Sequence, residues 1–484
     1  MKNTRQHNLD FLFHPNSIAL VGITTAATWH WTLTFLEGLI EIEFDRPLYL
    51  VNPKGGEIKG HKIYTSLKDV PGNIDYVIGL VNARIAPKLV EECAEKGVRA
   101  IHFCTAGFSE TGDERRIKLE SELAEVARRK GIRVIGPNCM GIYCPQSRLS
   151  YSPAFPKESG PVGVISQSGG NSIYLVRQAA LRGVRFSKVI SYGNACDINE
   201  NDLLEYLAND ADTKIIALYI EGIKDGIRFR RAMEEATKEK TVILLKGGAT
   251  EGGARAAAGH TAALSGSRAT WDALCKQLGI ISVSSIEEMI DVLVTLLFLP
   301  LPRGRNALLF GAGGGASVLI ADEFESRGLR VPPIPTEIVA QIREFTPIAG
   351  NILRNPVDYS QAMMNTEAVV KTFGILSSWE GIDFLVMFVR TGQFTTSRIS
   401  ETQLKNLLMS RFPIKQGLFP KPVAMVLEPS IMPEEAEAIL AAIRSAISSG
   451  LPVYYSFATA ANAINLVLNH TERQSKKSSR RRLG

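Results

Sequence analysis

Three short segments of this chain carry residue types suited to moving a phosphoryl group. Ser166, Gln167, Ser168, Gly169 and Gly170 follow an apolar run at 162–166 and precede a helical pattern. Small residues at a helix start leave backbone N–H groups free and let an anion approach them. Glu221 ends a second apolar run at 214–220, and His260 lies in the small-residue stretch "KGGATEGGARAAAGHTAALSG" after a third run at 241–245. Parallel α/β sheets bind ligands beyond the carboxyl ends of their strands, so these three segments are expected on one sheet edge, with His260 on a loop. A neutral imidazole is a nucleophile near neutral pH. A carboxylate on its other ring nitrogen would fix the tautomer and offset developing positive charge, while the helix start holds the transferred group. Singly, each feature is ordinary: a solvated acid at a strand end, a turn, a surface histidine. The other six histidines (7, 14, 30, 61, 102 and 470) have no comparable setting, and His102 reads as a core or edge residue.

The elements that must position these residues come in three series of short apolar runs alternating with helical patterns, which signals parallel α/β layers. The first series is 18–22, 47–51, 76–81, 99–103 and 132–136, and a Pro- and Ser-rich stretch at 145–161 closes it. The second is 162–166, 188–191, 214–220, 241–245 and 280–283, ending with a helical run at 286–299. Pro300, Pro302 and Gly304 precede the third, at 306–310, 383–389, 422–428 and 451–455. The openings of the second and third series echo one another as strand, glycine-rich turn and helix. That echo fits either a distant duplication or the general likeness of such units. The expected domains are 1–145, 158–300 and 304–470, followed by a basic tail, 471–484, without regular structure.

Composition excludes several classes. With 45% hydrophobic and 21% charged residues the chain is globular in type, and 484 residues accommodate three domains at about 100–200 residues each. The net charge of +6 is modest and sits partly in the tail, which reads as a solvated segment rather than a nucleic-acid arm. Six cysteines form no CxxC pair and have no histidine at a zinc-like spacing, so no structural metal and a reducing, cytoplasmic setting are expected. Residues 1–16 hold no apolar core of a signal peptide. The longest apolar stretch, 289–301, is too short to span a membrane and contains Asp291.

Taken together, the phrases "GPVGVISQSGG", "SYGNACDIN", "IIALYIEGIKDG" and "GHTAALSGS", with "VNPK", "TAGFSETG" and "GPNCMG" before them, resemble the ADP-forming acetyl-CoA (acyl-CoA) synthetases, relatives of succinyl-CoA synthetase. The resemblance runs from about residue 9 to about residue 468. It implies a Rossmann-like CoA-binding domain followed by two flavodoxin-like domains of the succinyl-CoA synthetase type. It further implies that His260 is the phosphorylated histidine, that Glu221 orients it, and that Ser166, Ser168, Gly169 and Gly170 hold phosphate. The CoA site would be lined by Gly22 and Ile23, Asn52, Pro53 and Lys54, Val81 and Asn82, Thr105, Ala106 and Gly107, and Pro137 and Asn138. Lys54 would meet a CoA phosphate as a point charge. The implied reaction joins a small carboxylic acid to CoA with ATP, giving acyl-CoA, ADP and phosphate by way of acyl phosphate and phosphohistidine. No ATP-grasp portion is recognised here, so ATP, ADP and Mg2+ would be handled by a separate ATP-grasp β subunit in a heteromer.

The chain departs from the family pattern at two places that bear on chemistry. Around the histidine, Ala258-Gly259-His260-Thr261-Ala262 replaces Ser-Ser-His-Thr-Gly, which exchanges small residues for small ones. After the first run, "GITTAATWHWTLTF" puts Trp29, His30 and Trp31 where a glycine would ease the approach of CoA. The tryptophans suit either packing, in the core or at a subunit contact, or an altered CoA or acyl pocket. This loop and the missing nucleotide half also fit a CoA-binding protein without catalysis, regulatory or scaffolding. A nicotinamide-dependent oxidoreductase is disfavoured, because no GxGxxG follows the first run.

Overall fold

The computed structural model describes residues 9–25, 30–261, 267–311, 313–360, 365–389, 415–429 and 433–483, with side chains undescribed at 257–261, 314, 366, 389, 433–435, 438 and 477–483. The chain divides into two compact units, Met1–Ala180 with Arg185–Met289, and Leu181–Val184 with Ile290–Gly484.

The first unit contains two sheets. The first sheet holds β1 (Ile18–Val21), β2 (Leu48–Val51), β3 (Gly56–Ile58), β4 (His61–Tyr64), β5 (Tyr76–Gly79), β6 (Ala100–Phe103) and β7 (Arg133–Ile135), in the order β3-β4-β2-β1-β5-β6-β7. All pairings are parallel except β3 with β4. Strands β1, β5 and β6 are buried along their whole length, as apolar runs covered on both faces must be. The five expected runs all became strands. The β3–β4 hairpin was not expected: its residues are largely exposed, and its turn places Lys59 and Gly60 at positive φ, where Asn-Gly is the usual signal. His102 is buried in β6 beside the Tyr76 hydroxyl, and burial lowers its pKa to about 3.

The second sheet holds β8 (Gly141–Tyr143), β9 (Ser159–Ser166), β10 (Phe186–Ser191), β11 (Ile215–Ile220), β12 (Thr241–Lys246) and β13 (Ile281–Val283), in the order β13-β12-β11-β9-β10-β8. Only β8 runs antiparallel, paired with β10. It lies before residue 145, so the chain enters the second sheet earlier than its Pro- and Ser-rich stretch suggested. Three apolar residues are too few to announce a strand, and β8 exists through its pairing. Polar caps fix the helix ends: Asp113 accepts from Arg115 and Arg116 N–H before helix Glu114–Lys130, and Asn199 and Asp202 form a capping box on helix Glu200–Asn209.

The second unit is built on β14 (Ala307–Gly311), β15 (Val357–Asp358), β16 (Phe384–Val389), β17 (Val423–Leu427) and β18 (Val453–Tyr454), all parallel, in the order β15-β14-β16-β17-β18. The two-residue β15 was not expected. At the turn after β14, Gly313 N–H donates to Asp358 Oδ1 at 2.9 Å. The tail, expected without regular structure, instead continues helix Phe457–Leu483. No Gly or Pro interrupts it, and Arg305 pins one face of it through Asn465, Asn469 and Glu472.

A buried ion pair fixes the second unit. Arg182 Nη1 lies 2.5 Å from Asp291 Oδ1, both side chains about 5% exposed, and Arg182 Nη2 donates to the Val453 carbonyl at 2.6 Å. Arg182→Met takes the guanidinium from the buried carboxylate and is expected to cost about 3–5 kcal/mol in urea unfolding, whereas Arg182→Met with Asp291→Leu should recover most of that loss. Equal losses in the single and double variants would show that packing, not charge, sets the cost.

Candidate functional site

The carboxyl edge of the second sheet is a row of backbone bonds that continues past the strands. Tyr192 N–H donates to Ser166 O at 3.0 Å, Gln167 N–H to Tyr219 O at 3.0 Å, and Gly247 N–H to Ile220 O at 2.9 Å. The ends of β10, β9, β11 and β12 are thereby locked together. Ser166 is buried and its hydroxyl donates to the Ser168 carbonyl at 2.7 Å, while the Ser168 hydroxyl accepts Asn171 N–H at 3.3 Å. Both hydroxyls therefore shape the turn into helix Gly169–Leu181. A Cβ on Gly169 would lie 2.6 Å from Met140 Cγ, but one on Gly170 would meet nothing within 4 Å. Gly169 is thus a packing requirement, and Gly170 is the open face of the helix start.

Glu221 stands one residue past β11, only 6% exposed. Tyr219 OH donates to its Oε1 at 3.1 Å. Gln167 Oε1 holds the backbone N–H groups of Glu221 and Gly222 at 2.7 and 3.1 Å. Lys246 Nζ donates to the Glu221 carbonyl at 2.7 Å and to the Gly247 carbonyl, and lies 5.5 Å from the Trp271 ring centroid. Burial holds the Lys246 ammonium below its usual range, with Glu221 acting against that. A Cβ on Gly247 would meet Tyr219 Oη at 2.8 Å and Glu221 Cγ at 3.2 Å, so glycine lets the chain close over the acid. Sequence reasoning named Glu221 and set Gln167 in the turn after β9, but gave neither Gln167 nor Tyr219 a part in holding the acid, because those parts depend on contacts across strands.

His260 falls in the last turn of helix Glu251–Thr261. A loop was expected here; the segment is helical in spite of its three glycines, with four alanines as its good helix formers. The side chain of His260 lies outside the described residues. The helix backbone packs against the turn Ser109–Thr111 of the first sheet's fold. Trp29 also lies outside the described residues, while His30 and Trp31 are exposed before helix Leu33–Glu41.

The residues expected to line a CoA site share the carboxyl edge of the first sheet. Asn52 Nδ2 donates to the Ile23 carbonyl at 2.8 Å and Asn52 Oδ1 accepts Lys54 N–H at 3.0 Å, tying the turn after β2 to that after β1. Pro53 and Lys54 are exposed. Thr105 Oγ1 donates to the Val81 carbonyl at 2.6 Å, and Asn138 N–H, just past Pro137, donates to the Thr105 carbonyl at 2.9 Å. Asn82 caps the short helix after β5 by accepting Arg84 N–H. Gly22, at φ +93°, is required because a Cβ would lie 2.7 Å from the Leu80 carbonyl oxygen. Gly107, at φ +101°, faces open space: its nearest neighbour would be Ala83 Cβ at 3.8 Å, and Ala106 beside it is exposed. The turns after β1 and β2 are thus tied together, as are those after β5, β6 and β7, with Lys54 and Ala106 exposed among them.

A polar cluster absent from the sequence reading joins the two folds of this unit. Asn194 Nδ2 donates to Glu110 Oε2 at 2.6 Å and to Glu120 Oε2 at 2.8 Å, and Asn194 Oδ1 accepts from Asn138 Nδ2 at 3.4 Å. Glu110 in turn accepts the N–H groups of Gly107 and Phe108, and Glu120 those of Ser109 and its hydroxyl. Burial opposes the Glu110 charge, yet bonds from Asn194, Gly107 and Phe108 hold its carboxyl below the usual 4.5. These bonds therefore stabilise the fold fully above that pH and lose effect as pH falls through the lower folded-state value. Asn194→Ala is expected to cost about 1–3 kcal/mol, to move acid unfolding to higher pH, and to weaken CoA binding by loosening the 105–107 turn. Chemical and acid unfolding followed by circular dichroism, with CoA titration calorimetry, check all three.

Comparison with known proteins fits this geometry. The family model "CoA binding domain" matches residues 16–145, and "Succinyl-CoA ligase like flavodoxin domain" matches residues 159–296. The "Acetate--CoA ligase [ADP-forming] II subunit alpha" of Pyrococcus furiosus is 34% identical over 446 residues, covering 92% of this chain and 94% of that protein. The "Acetate--CoA ligase [ADP-forming]" of Methanocaldococcus jannaschii is 36% identical over 358 residues, 73% of this chain but 49% of that longer protein. A solved structure of the Ca. Korarchaeum cryptofilum "dinucleotide forming Acetyl-coenzyme A synthetase 1 in complex with phosphate and ADP" superposes with a TM-score of 0.77 at 28% identity, over 97% of this chain and 98% of that one. With a third of its residues shared along nearly the whole length of such a relative, the chain belongs to the family of ADP-forming acetate–CoA ligases.

Proposed function

We propose that this chain is the α subunit of an NDP-forming acyl-CoA synthetase, which interconverts a small carboxylic acid, CoA and ATP with acyl-CoA, ADP and phosphate, and that His260 carries the phosphoryl group. The observation behind this reading is a convergence. The turn 166–170 and the buried Glu221 share one sheet edge, and the helix that carries His260 packs on the turn Ser109–Thr111, beside the expected CoA cradle.

On this reading CoA is a substrate that lies along Gly22, Ile23, Asn52, Pro53, Lys54, Val81, Asn82, Thr105, Ala106, Gly107, Pro137 and Asn138, within domain 1–145. In the direction of acyl-CoA breakdown, phosphate seated at Ser166, Ser168, Gly169 and Gly170 attacks the thioester carbonyl. A C–O bond forms, the C–S bond breaks, and the thiolate leaves, yielding acyl phosphate. The His260 imidazole then attacks phosphorus. The bond from phosphorus to the acyl oxygen breaks, and the carboxylate leaves. Glu221 accepts a hydrogen bond from the second ring nitrogen and offsets the positive charge that grows on the ring. The Tyr219 hydroxyl and the backbone bonds to Gln167 keep that carboxylate in place, so no reorganisation is needed at the moment of transfer.

The phosphoryl group then passes to ADP on a separate ATP-grasp β subunit with Mg2+, in a heteromer; the naming of a Pyrococcus relative as a subunit alpha supports such a partner. The domain 158–300 carries the phosphohistidine chemistry, and 304–470 is a second flavodoxin-like domain. All six cysteines are free thiols, which supports a cytoplasmic enzyme.

With its partner present, His260→Ala is expected to abolish ATP formation from acetyl-CoA, phosphate and ADP while CoA affinity stays unchanged. Glu221→Gln should slow it by about a hundredfold. A coupled ATP assay reads both. Full activity in His260→Ala would overturn the assignment.

A further inference from the structure

The chain crosses from the first sheet to the second between β7 and β8, through Pro137, Asn138, Cys139 and Met140. Met140 ends that crossing, and its side chain touches both carboxyl edges. On one side its Sδ lies 3.9 Å from the Sγ of Cys104, which follows β6 and precedes Thr105. On the other side its Cγ stands where a Cβ on Gly169 would come within 2.6 Å, at the start of helix Gly169–Leu181. The Met140 N–H donates to Ser191 Oγ at 3.1 Å, at the end of β10, which ties its backbone to the second edge. Met140 and Cys104 are each partly exposed, so their contact lies at an accessible surface. That surface is uncharged: burial pushes the Cys104 thiol up to about 12, so it stays protonated near neutral pH.

The reaction proposed above brings a thioester from the first edge to a phosphate at the turn 166–170. Attack needs the two reacting atoms about 3–3.5 Å apart. The thioester carbon bears the sulfur, the oxygen and the acyl tail. With the sulfur toward the first edge and the phosphate at the second, the tail falls at the junction, where Met140 stands. We propose that Met140, with Cys104 beside it, forms the wall of the acyl pocket and sets the class of acid: short apolar monocarboxylates, with dicarboxylates excluded. This rests on the reading of the CoA edge and the phosphate turn given above. A thioether is apolar, unbranched and adaptable, so it accommodates a methyl or a small branched tail. It offers no partner to a second carboxylate, whose burial there would go uncompensated.

The test compares kcat/KM for acetyl-CoA, isobutyryl-CoA and succinyl-CoA in the coupled ATP assay, with phosphate, ADP and the partner present. The chain is used unsubstituted, as Met140→Ala and as Met140→Phe. The isobutyryl-to-acetyl ratio is expected to rise about tenfold in Met140→Ala and to fall about tenfold in Met140→Phe. With the unsubstituted chain, succinyl-CoA should react about a hundredfold less readily than acetyl-CoA. All substrates meet the same folded fraction of each variant, so a loss of stability does not move the ratio. Ratios that stay within about twofold of the unsubstituted value in both variants overturn the proposal. Succinyl-CoA turnover equal to that of acetyl-CoA also overturns it. If the unsubstituted chain turns over none of these acyl-CoAs, the reading of the reaction fails first and the role of Met140 falls with it; turnover of any of them separates the two cases.

Discussion

The amide of Asn194 makes the bonds on which the geometry of the first unit turns. Its single nitrogen donates to two carboxylates, Glu110 and Glu120, on the far side of the junction between two sheets. Those carboxylates hold the backbone of 107–109, and Asn194 N–H donates to the Pro137 carbonyl in the last turn of the same edge. Arg133 adds a paired contact to Asp197, with Nε at 2.9 Å from Oδ2 and Nη2 at 3.1 Å from Oδ1. Because charge-assisted bonds are directional and stronger than neutral ones, the two α/β folds have one way to meet.

That meeting bears on how two separate strand edges could serve the proposed reaction together. Each sheet alone offers what parallel sheets offer, loops beyond the carboxyl ends of its strands. The first presents small residues and Lys54; the second presents the turn 166–170 and Glu221. The helix Glu251–Thr261 leaves the second sheet after Gly247 and packs on Ser109–Thr111 of the first. The helix that carries His260 therefore touches both folds, which the proposed relay of a phosphoryl group from an acyl-CoA substrate requires.

Much of this was legible in the sequence, for physical reasons. Runs buried on both faces of parallel sheets must be continuously apolar, and Ile18–Val21, Tyr76–Gly79 and Ile215–Ile220 read that way. Residues that end such runs, Glu221 among them, fall on the ligand edge by topology alone. What sequence could not disclose depends on distant partners. Asn194 meets Glu110 across 84 residues. The β3–β4 hairpin is half exposed and lacks the usual turn residues. β8 is a strand only because β10 pairs with it. The helix at 251–261 was hidden by glycines that suggested a loop, and the terminal helix by its basic residues, while Arg305 holds its earlier turns through Asn465, Asn469 and Glu472.

The central claim is that a covalent phosphoryl group forms on His260 from acyl-CoA and phosphate, without nucleotide. Phosphorus-31 NMR of the purified full chain, mixed with acetyl-CoA and inorganic phosphate, tests it most directly. A phosphoramidate resonance that is absent from the His260→Ala chain is the expected result. A spectrum with no such resonance, from a chain that binds CoA and retains its fold, would contradict it and leave a CoA-binding protein without this chemistry.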